Sequence, residues 1–405
     1  MKPKIRIQLS VMMFIEYFIW GSWFVTMGTY LTKMGFQGTD IGNAYSATAW
    51  AAIISAFFIS LVADKYFAAE KLTGILHLLG GIAMYFASQM TSPIYFFWIL
   101  LFYTICYMPT LALTNAIVFH QTSKAGKDFP NIRVLGTIGW IVAGLIIGFL
   151  KIEFGPQPMQ IAAGVSILMG IYCFFLPHTP PKKQKTTIKD IIGLDALKLM
   201  KERPYAILII SSLFITIPFA TYHNFTNLYL NELGIENAAA KMTLGQASEI
   251  IFMLLMPFFF LRLGIKKMLL IGMAGWVVRY VLFALGNDST LISFLYIGIL
   301  LHGLSYDFFF VTGQIYVDKK APKEIKASVQ GFMTLITYGI GWLIGAWVAG
   351  NILQKYQVVD AEQQVIGHNW SAVMLIPAII AAIVFLFFLI FFKDKNEKTE
   401  TGIKN

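Results

Sequence analysis

Charge is what this sequence has least of. Only 13% of its 405 residues are Asp, Glu, Lys or Arg, while 57% are hydrophobic and 15% aromatic. An ordinary soluble domain carries about 25% charged residues, so a water-facing surface of this size is out of reach, and with it a soluble enzyme or a secreted scaffold. Cysteine is nearly absent. Cys106 and Cys173 both fall inside apolar runs and read as buried thiols, not as a disulfide. No G-x-x-x-x-G-K-[ST] loop is present, which excludes direct drive by ATP, and there is no H-E-x-x-H, Cys–His cluster or nucleophile elbow to suggest hydrolysis or a metal. An enzyme is therefore not expected. No cleavable signal peptide is expected, because the run after Lys2, Lys4 and Arg6 is too long for a signal h-region.

What is present is length. Apolar stretches recur near 9–30, 42–63, 72–91, 94–118, 131–150, 159–177, 205–229, 242–262, 268–286, 291–314, 327–350 and 370–392. Each is long enough to cross a ~30 Å hydrocarbon layer. Their lack of strict alternation points to helices and away from barrel strands of ~10 residues. The expected fold is all-α, with twelve transmembrane helices. The net charge of +10 would suit nucleic acid, but its cations line the loops, so no nucleic-acid partner is expected. With a cytoplasmic N-terminus, 26 of the 31 Lys and Arg residues lie on the cytoplasmic side; only Lys33, Lys151, Lys241 and Lys355 lie outside, and Arg279 is within a span. Both termini are then expected in the cytoplasm.

The longest polar interruption, 178–204, carries an amphipathic stretch, Ile188–Met200, suited to lie along the membrane surface. It separates two six-span halves, 1–177 and 205–392, followed by a tail, 393–405. The turn Ala63-Asp64-Lys65 and the turn Arg262–Lys267 occupy the same place in each half, a faint parallel repeat. This is the layout of the major facilitator superfamily, an architecture that says transporter without saying of what.

An ionisable side chain inside a span costs at least ~2.5–3.5 kcal/mol on insertion scales, so Glu16, Glu249, Arg279 and Asp307 call for explanation. Arg133 sits at the cytoplasmic start of span five, and steps of four and seven put Thr137 and Trp140 on the same stripe. The stripe offers a guanidinium fork, a hydroxyl and an aromatic face to a polar ligand with a planar ring; the plainer reading is a snorkelling arginine above packing residues. Gln246 and Glu249 are three apart in span eight. They suit sugar hydroxyls and proton exchange, against an alternative in which they bond neighbouring helices. In span ten His302 and Tyr306 share a face. Asp307 points about 100° away, so it is either a proton site or an ion-pair partner of Arg279. His223 lies in an unusually polar run, Thr221–Asn227, and reads equally as ligand group or packing. Glu16 forms a stripe with Trp20 and Trp23, and is a proton site or the partner of a polar group elsewhere in the first half.

Several stretches resemble the nucleoside:proton symporters of the major facilitator superfamily: Trp20-Gly-Ser-Trp23, Val62-Ala-Asp-Lys65, Tyr107-Met-Pro-Thr-Leu111, Ile132-Arg-Val-Leu-Gly-Thr-Ile-Gly139, Leu194-Asp-Ala196, Gln246-Ala-Ser-Glu249, Arg262-Leu-Gly-Ile-Lys266, Tyr306-Asp-Phe-Phe309 and Ala327-Ser-Val-Gln-Gly331. The resemblance implies a nucleoside in a central cavity, bound by Arg133, Thr137, Gln246 and Glu249, with aromatic faces from Trp140 and Tyr306. Three positions depart from the family pattern: Ala220 and His223 where amides are expected, and His302 in place of a tyrosine. Glu16 also replaces a more usual neutral amide.

The expectation is thus a monomeric bacterial inner-membrane importer of nucleosides, energised by protons and needing no cofactor. Its binding residues would be Arg133, Thr137, Trp140, His223, Gln246, Glu249, His302 and Tyr306, with Glu249, then Asp307 and Glu16, as proton carriers. Symport of another hydroxyl-rich solute such as a sugar is the alternative, and a non-transporting membrane receptor a more distant one.

Overall fold

An apolar backbone in lipid can satisfy its own N–H and C=O groups by closing them into helices, and the computed structural model of the chain is built that way. It describes residues 2–58, 66–122, 125–181, 194–322, 325–362 and 364–393. In the first part these form α1 (Pro3–Trp23), α2 (Met27–Lys33), α3 (Gly38–Phe58), α4 (Ala69–Ala87), α5 (Pro93–Gln121), α6 (Ala125–Phe149) and α7 (Gln157–Cys173). A short 3₁₀ helix, Leu194–Lys201, precedes α8 (Arg203–Glu232), α9 (Ala238–Leu285), α10 (Ile292–Lys320), α11 (from Lys326 to Lys355) and α12 (Trp370–Phe391). Among the described residues, eight helical segments are long and apolar enough to cross a membrane. The turn at Ala63-Asp64-Lys65, most of the tail and the first part of the stretch 188–200 lie outside the described residues.

Several boundaries differ from the sequence reading. The polar turn expected over Arg262–Lys267 is reduced to one residue. Gly264, at φ 71° and ψ 173°, breaks α9 while helix resumes directly on either side. Only glycine occupies that backbone region without a steric penalty. On α6, helix begins at Ala125 and not near 131, with Asp128 in its first turn, so Arg133 stands well inside the helix and not at its start. Strand was not expected either, yet Gln357–Val359 pairs antiparallel with Val365–His368. Glu232 at the end of α8 anchors this hairpin, with His368 Nδ1 and Trp370 Nε1 each 2.8 Å from its carboxylate. Two π turns, Asp307–Val311 in α10 and Leu335–Gly341 in α11, interrupt the α-helical repeat.

The chain divides into two compact units. One comprises Met1–Ile188 with His223–Asn231 and Glu236–Thr243; the other comprises Lys189–Tyr222, Glu232–Ile235 and Leu244–Asn405. In the first, glycines bring helix backbones together. A Cβ on Gly139 of α6 would lie 2.2 Å from the Phe14 carbonyl oxygen of α1, and one on Gly21 would lie 2.9 Å from Trp140 Cα. Gly81 of α4 approaches the Ala163 carbonyl of α7 in the same way, at 2.9 Å. Where lipid removes the hydrophobic drive between helices, such small-residue contacts maximise dispersion attraction.

The connection after α6 holds a polar knot. Buried Glu153 accepts from Asn227 Nδ2 (2.7 Å), Asn231 Nδ2 (2.9 Å) and the Ala239 amide (3.0 Å), while Asn227 Oδ1 accepts from Thr29 (2.6 Å). Ala239 lies in the first turn of α9, where N–H groups have no intrahelical partner and a carboxylate is favoured. In the second unit α9 and α10 meet at Gly303, whose Cβ would be 2.3 Å from the Glu249 nitrogen and whose amide donates to Ser248 Oγ (2.9 Å).

The atom facing Gly139 is backbone and has little room to yield. Gly139→Val should therefore lower the midpoint of thermal unfolding in detergent, by an overpacking cost of about 1–3 kcal/mol. Gly164→Ala, where a Cβ meets nothing within 4 Å, should leave the midpoint within experimental error of the parent protein.

Candidate functional site

The residues singled out from the sequence fall into two clusters, one in each unit. In the first unit Arg133, Thr137 and Trp140 run along α6, each partly exposed. The absence of side chains at Gly136 and Gly139 lets α1 lie against this helix, so Tyr17 and Trp20 flank the stripe. The Arg133 guanidinium rests 3.9 Å from the centroid of the Tyr17 ring, an attraction that fixes its fork without consuming its hydrogen-bond donors. Trp140 meets Trp20 edge-on at 5.5 Å and Phe24 at 6.4 Å. Phe24 in turn lies 6.3 Å from the His223 ring. The result is an aromatic wall that carries the Arg133 guanidinium, the Thr137 hydroxyl and the His223 imidazole.

Glu16 is not part of that wall. It is fully buried, with Oε2 2.9 Å from His77 Nε2 and Oε1 2.6 Å from the Thr110 hydroxyl; the Tyr107 hydroxyl donates to its backbone oxygen at 2.6 Å. His77 Nδ1 lies 3.0 Å from Ser166 Oγ. The chain thus links α1, α4, α5 and α7. Every oxygen of Glu16 has a partner within the first unit.

In the second unit Gln246 and Glu249 project from α9, and His302 and Tyr306 from α10. Gly245 and Gly303 allow the two helices to touch, since a Cβ on Gly245 would lie 3.2 Å from His302 Cβ. That approach sets His302 Nε2 3.8 Å from Glu249 Oε2. Gln246 is buried, and the Glu249 side chain retains 20% exposure. His302 stacks on Tyr222 (4.9 Å, 21°) and Tyr306 (6.0 Å, 25°). The Tyr306 hydroxyl bonds that of Tyr338 at 2.7 Å, and Phe219, Phe310 and Trp342 complete the aromatic surround.

Asp307 and Arg279 are both fully buried but form no ion pair with each other. Arg279 lies 3.4 Å from the Tyr222 ring centroid, and its NH1 is 3.2 Å from His302 Nδ1. Neither carboxylate oxygen of Asp307 has a hydrogen-bond partner. Asp307 opens the π turn in α10, a departure from i→i+4 bonding that recurs at functional sites.

A profile of the nucleoside H⁺ symporter family matches residues 3–397. The chain is a nucleoside:proton symporter of that family. The YegT protein of Escherichia coli is 43% identical to this symporter over 99% of this chain and 96% of its own length. The nucleoside permease NupG of Escherichia coli is 32% identical over 98% of both chains. The crystal structure of the nucleoside transporter NupG superposes with a TM-score of 0.88 at 31% identity, covering 96% of this symporter and 100% of that chain.

Two groups escaped the sequence reading. His77 is a histidine in an apolar run, Leu76-His77-Leu78, and the insertion cost that flagged Glu16 applies to it equally. Glu153 gave a weaker signal, an acid in a short loop. Leaving one partner of the buried Glu16–His77 pair alone is costly, about 3–5 kcal/mol, whereas apolar replacement of both is far less so. Glu16→Leu should accordingly depress the thermal midpoint strongly, and Glu16→Leu combined with His77→Leu should recover much of the loss in the same melting assay.

Proposed function

We propose that this multi-pass membrane symporter imports nucleosides across the bacterial inner membrane as a monomer, with twelve spans in two six-helix halves that alternate in access around a central site. Both termini would face the cytoplasm, as the distribution of basic residues requires. Arg133, Thr137 and Trp140 would supply the substrate contacts of one half; His223, Gln246, Glu249, His302 and Tyr306 would supply those of the other. A nucleoside is a flat heterocycle joined to a ribose with vicinal hydroxyls. Trp140 and Tyr306 can stack on such a ring, and Glu249, Gln246 and Arg133 can bond hydroxyls or base edges.

The observation that carries this reading is the grouping on α9 and α10. Gln246, Glu249, His302 and Tyr306 are gathered by glycine contacts, and Glu249 is left partly open while Gln246 and His302 are buried. A carboxylate placed so can take up a proton and bond a hydroxyl in the same setting. Glu249 is therefore the first choice for the coupling proton and Asp307, whose oxygens have no hydrogen-bond partner, the second. In the proposed cycle Glu249 is protonated from outside as the nucleoside arrives, the halves reclose over a neutralised site, and proton and substrate leave to the cytoplasm.

Proteoliposomes test this directly. Radiolabelled uridine or adenosine should accumulate under an inward proton gradient and the accumulation should collapse with a protonophore. Glu249→Gln should let nucleoside equilibrate without concentrating it; concentration against a gradient by that variant would remove Glu249 from the coupling role. Arg133→Met should raise KM about tenfold, equivalent to ~1.4 kcal/mol of lost binding, with a smaller change in kcat.

A further inference from the structure

His302 occupies the place where the family resemblance leads one to expect a tyrosine, and its two ring nitrogens face different groups. His302 is 2% exposed, and its ring stacks on those of Tyr222 and Tyr306. Its Nδ1 faces NH1 of Arg279 at 3.2 Å, and its Nε2 faces the carboxylate of Glu249 at 3.8 Å. A guanidinium has five N–H donors and no acceptor. A hydrogen bond from it therefore requires a lone pair on Nδ1, and a neutral imidazole with its lone pair there has its hydrogen on Nε2. The cation itself is held in place independently: Arg279 is fully buried, with the rings of Tyr222, Trp276 and Phe283 at 3.4, 5.1 and 5.7 Å.

We propose that Arg279 is a positioning residue that acts on the substrate site through His302. It locks the imidazole as the neutral Nε2–H tautomer and so aims a single N–H donor at Glu249. A doubly protonated ring would turn an N–H toward a guanidinium that has only N–H groups to offer, so His302 stays neutral while that contact lasts. The other titratable groups nearby do not change this assignment. The hydroxyls of Tyr222 and Tyr306 belong to the stacked rings, the Tyr280 hydroxyl donates to the Pro218 carbonyl, and Asp307 follows Tyr306 in the chain.

The consequence for transport rests on Glu249 being a substrate and proton group, as proposed above. With Glu249 ionised, the His302 N–H is directed to its carboxylate. With Glu249 protonated, that donor becomes available to an acceptor on the nucleoside, a ribose or base oxygen or a ring nitrogen. His302 would then register the protonation of Glu249 without itself carrying the proton.

Ring ¹⁵N–¹H correlation spectra of the full-length symporter, labelled at histidine and held in lipid nanodiscs, test the assignment. The His302 signals are identified by their loss in His302→Gln. The expected spectrum at pH 7 is that of a neutral Nε2–H ring; an Nδ1–H or doubly protonated ring in the parent protein would overturn the proposal without recourse to any variant. In Arg279→Gln, His302 should show both tautomers or titrate between about pH 5 and 8. Nucleoside uptake by that variant should gain a matching inflection, which Arg279→Gln combined with His302→Gln should lack. An unchanged ring signal in folded Arg279→Gln would also overturn it. Failure of Glu249 as the site carboxylate gives a different pattern: the parent ring remains Nε2–H, while Glu249→Gln transports as the parent does.

Discussion

Close contact between helix backbones is the constraint on which the polar features of this chain depend. A side chain at Gly139 would push α1 away from α6 and carry Tyr17 and Trp20 away from Arg133 and Trp140. One at Gly303 would part α10 from α9 and separate His302 from Glu249. An ordinary helix pair lies 8–10 Å apart, depending on the side chains between. At this crossing the His302 imidazole and the Glu249 carboxylate come near each other because Gly303 presents hydrogen in place of a side chain. The polar groups are few, and the missing side chains decide which of them meet.

Burial then sorts those groups by what they can do. Glu16 and Glu249 are both acids within apolar helices, yet their settings differ. Glu16 has a histidine, a threonine and no exposure, which ties four helices of one unit together. Glu249 keeps a fifth of its side-chain surface and a more distant histidine. A fully buried and partnered carboxylate is fixed by its neighbours, whereas one that keeps surface can be reached by a ligand. The same contrast separates Arg279, packed among three aromatic rings, from Arg133, which lies over one ring and remains partly exposed.

Much of the fold was legible because lipid leaves few alternatives to a long apolar helix, and the glycines, prolines and basic loops punctuate the runs. The stripe Arg133–Thr137–Trp140 and the pair His302–Tyr306 followed from helical spacing alone. Asp307 marks where the regular repeat ends, because a π turn begins there and a wider turn rotates the residues beyond it. It does not pair with Arg279, because a guanidinium can be accommodated by aromatic faces and an imidazole lone pair, which opposite charge alone does not reveal. The break at Gly264 was visible as a glycine but not as a one-residue turn, because the flanking Arg262, Lys266 and Lys267 suggested a longer loop. The hairpin after α11 had too short and irregular a pattern to stand out.

The knot around Glu153 has a mechanical character of its own. Two amides and a backbone N–H converge on one carboxylate, and the same asparagine that donates to it receives the hydroxyl of Thr29. Residues from α8 and α9 thereby share the single anion of the connection after α6, and α2 joins them through Asn227. Drawing any one of them away leaves the others with an under-satisfied charge in a buried place, so partial loosening relieves little and exposes much. Such a fastening behaves as a snap and not as a spring: it holds in full until water can reach the carboxylate, and then it lets go of all its partners together.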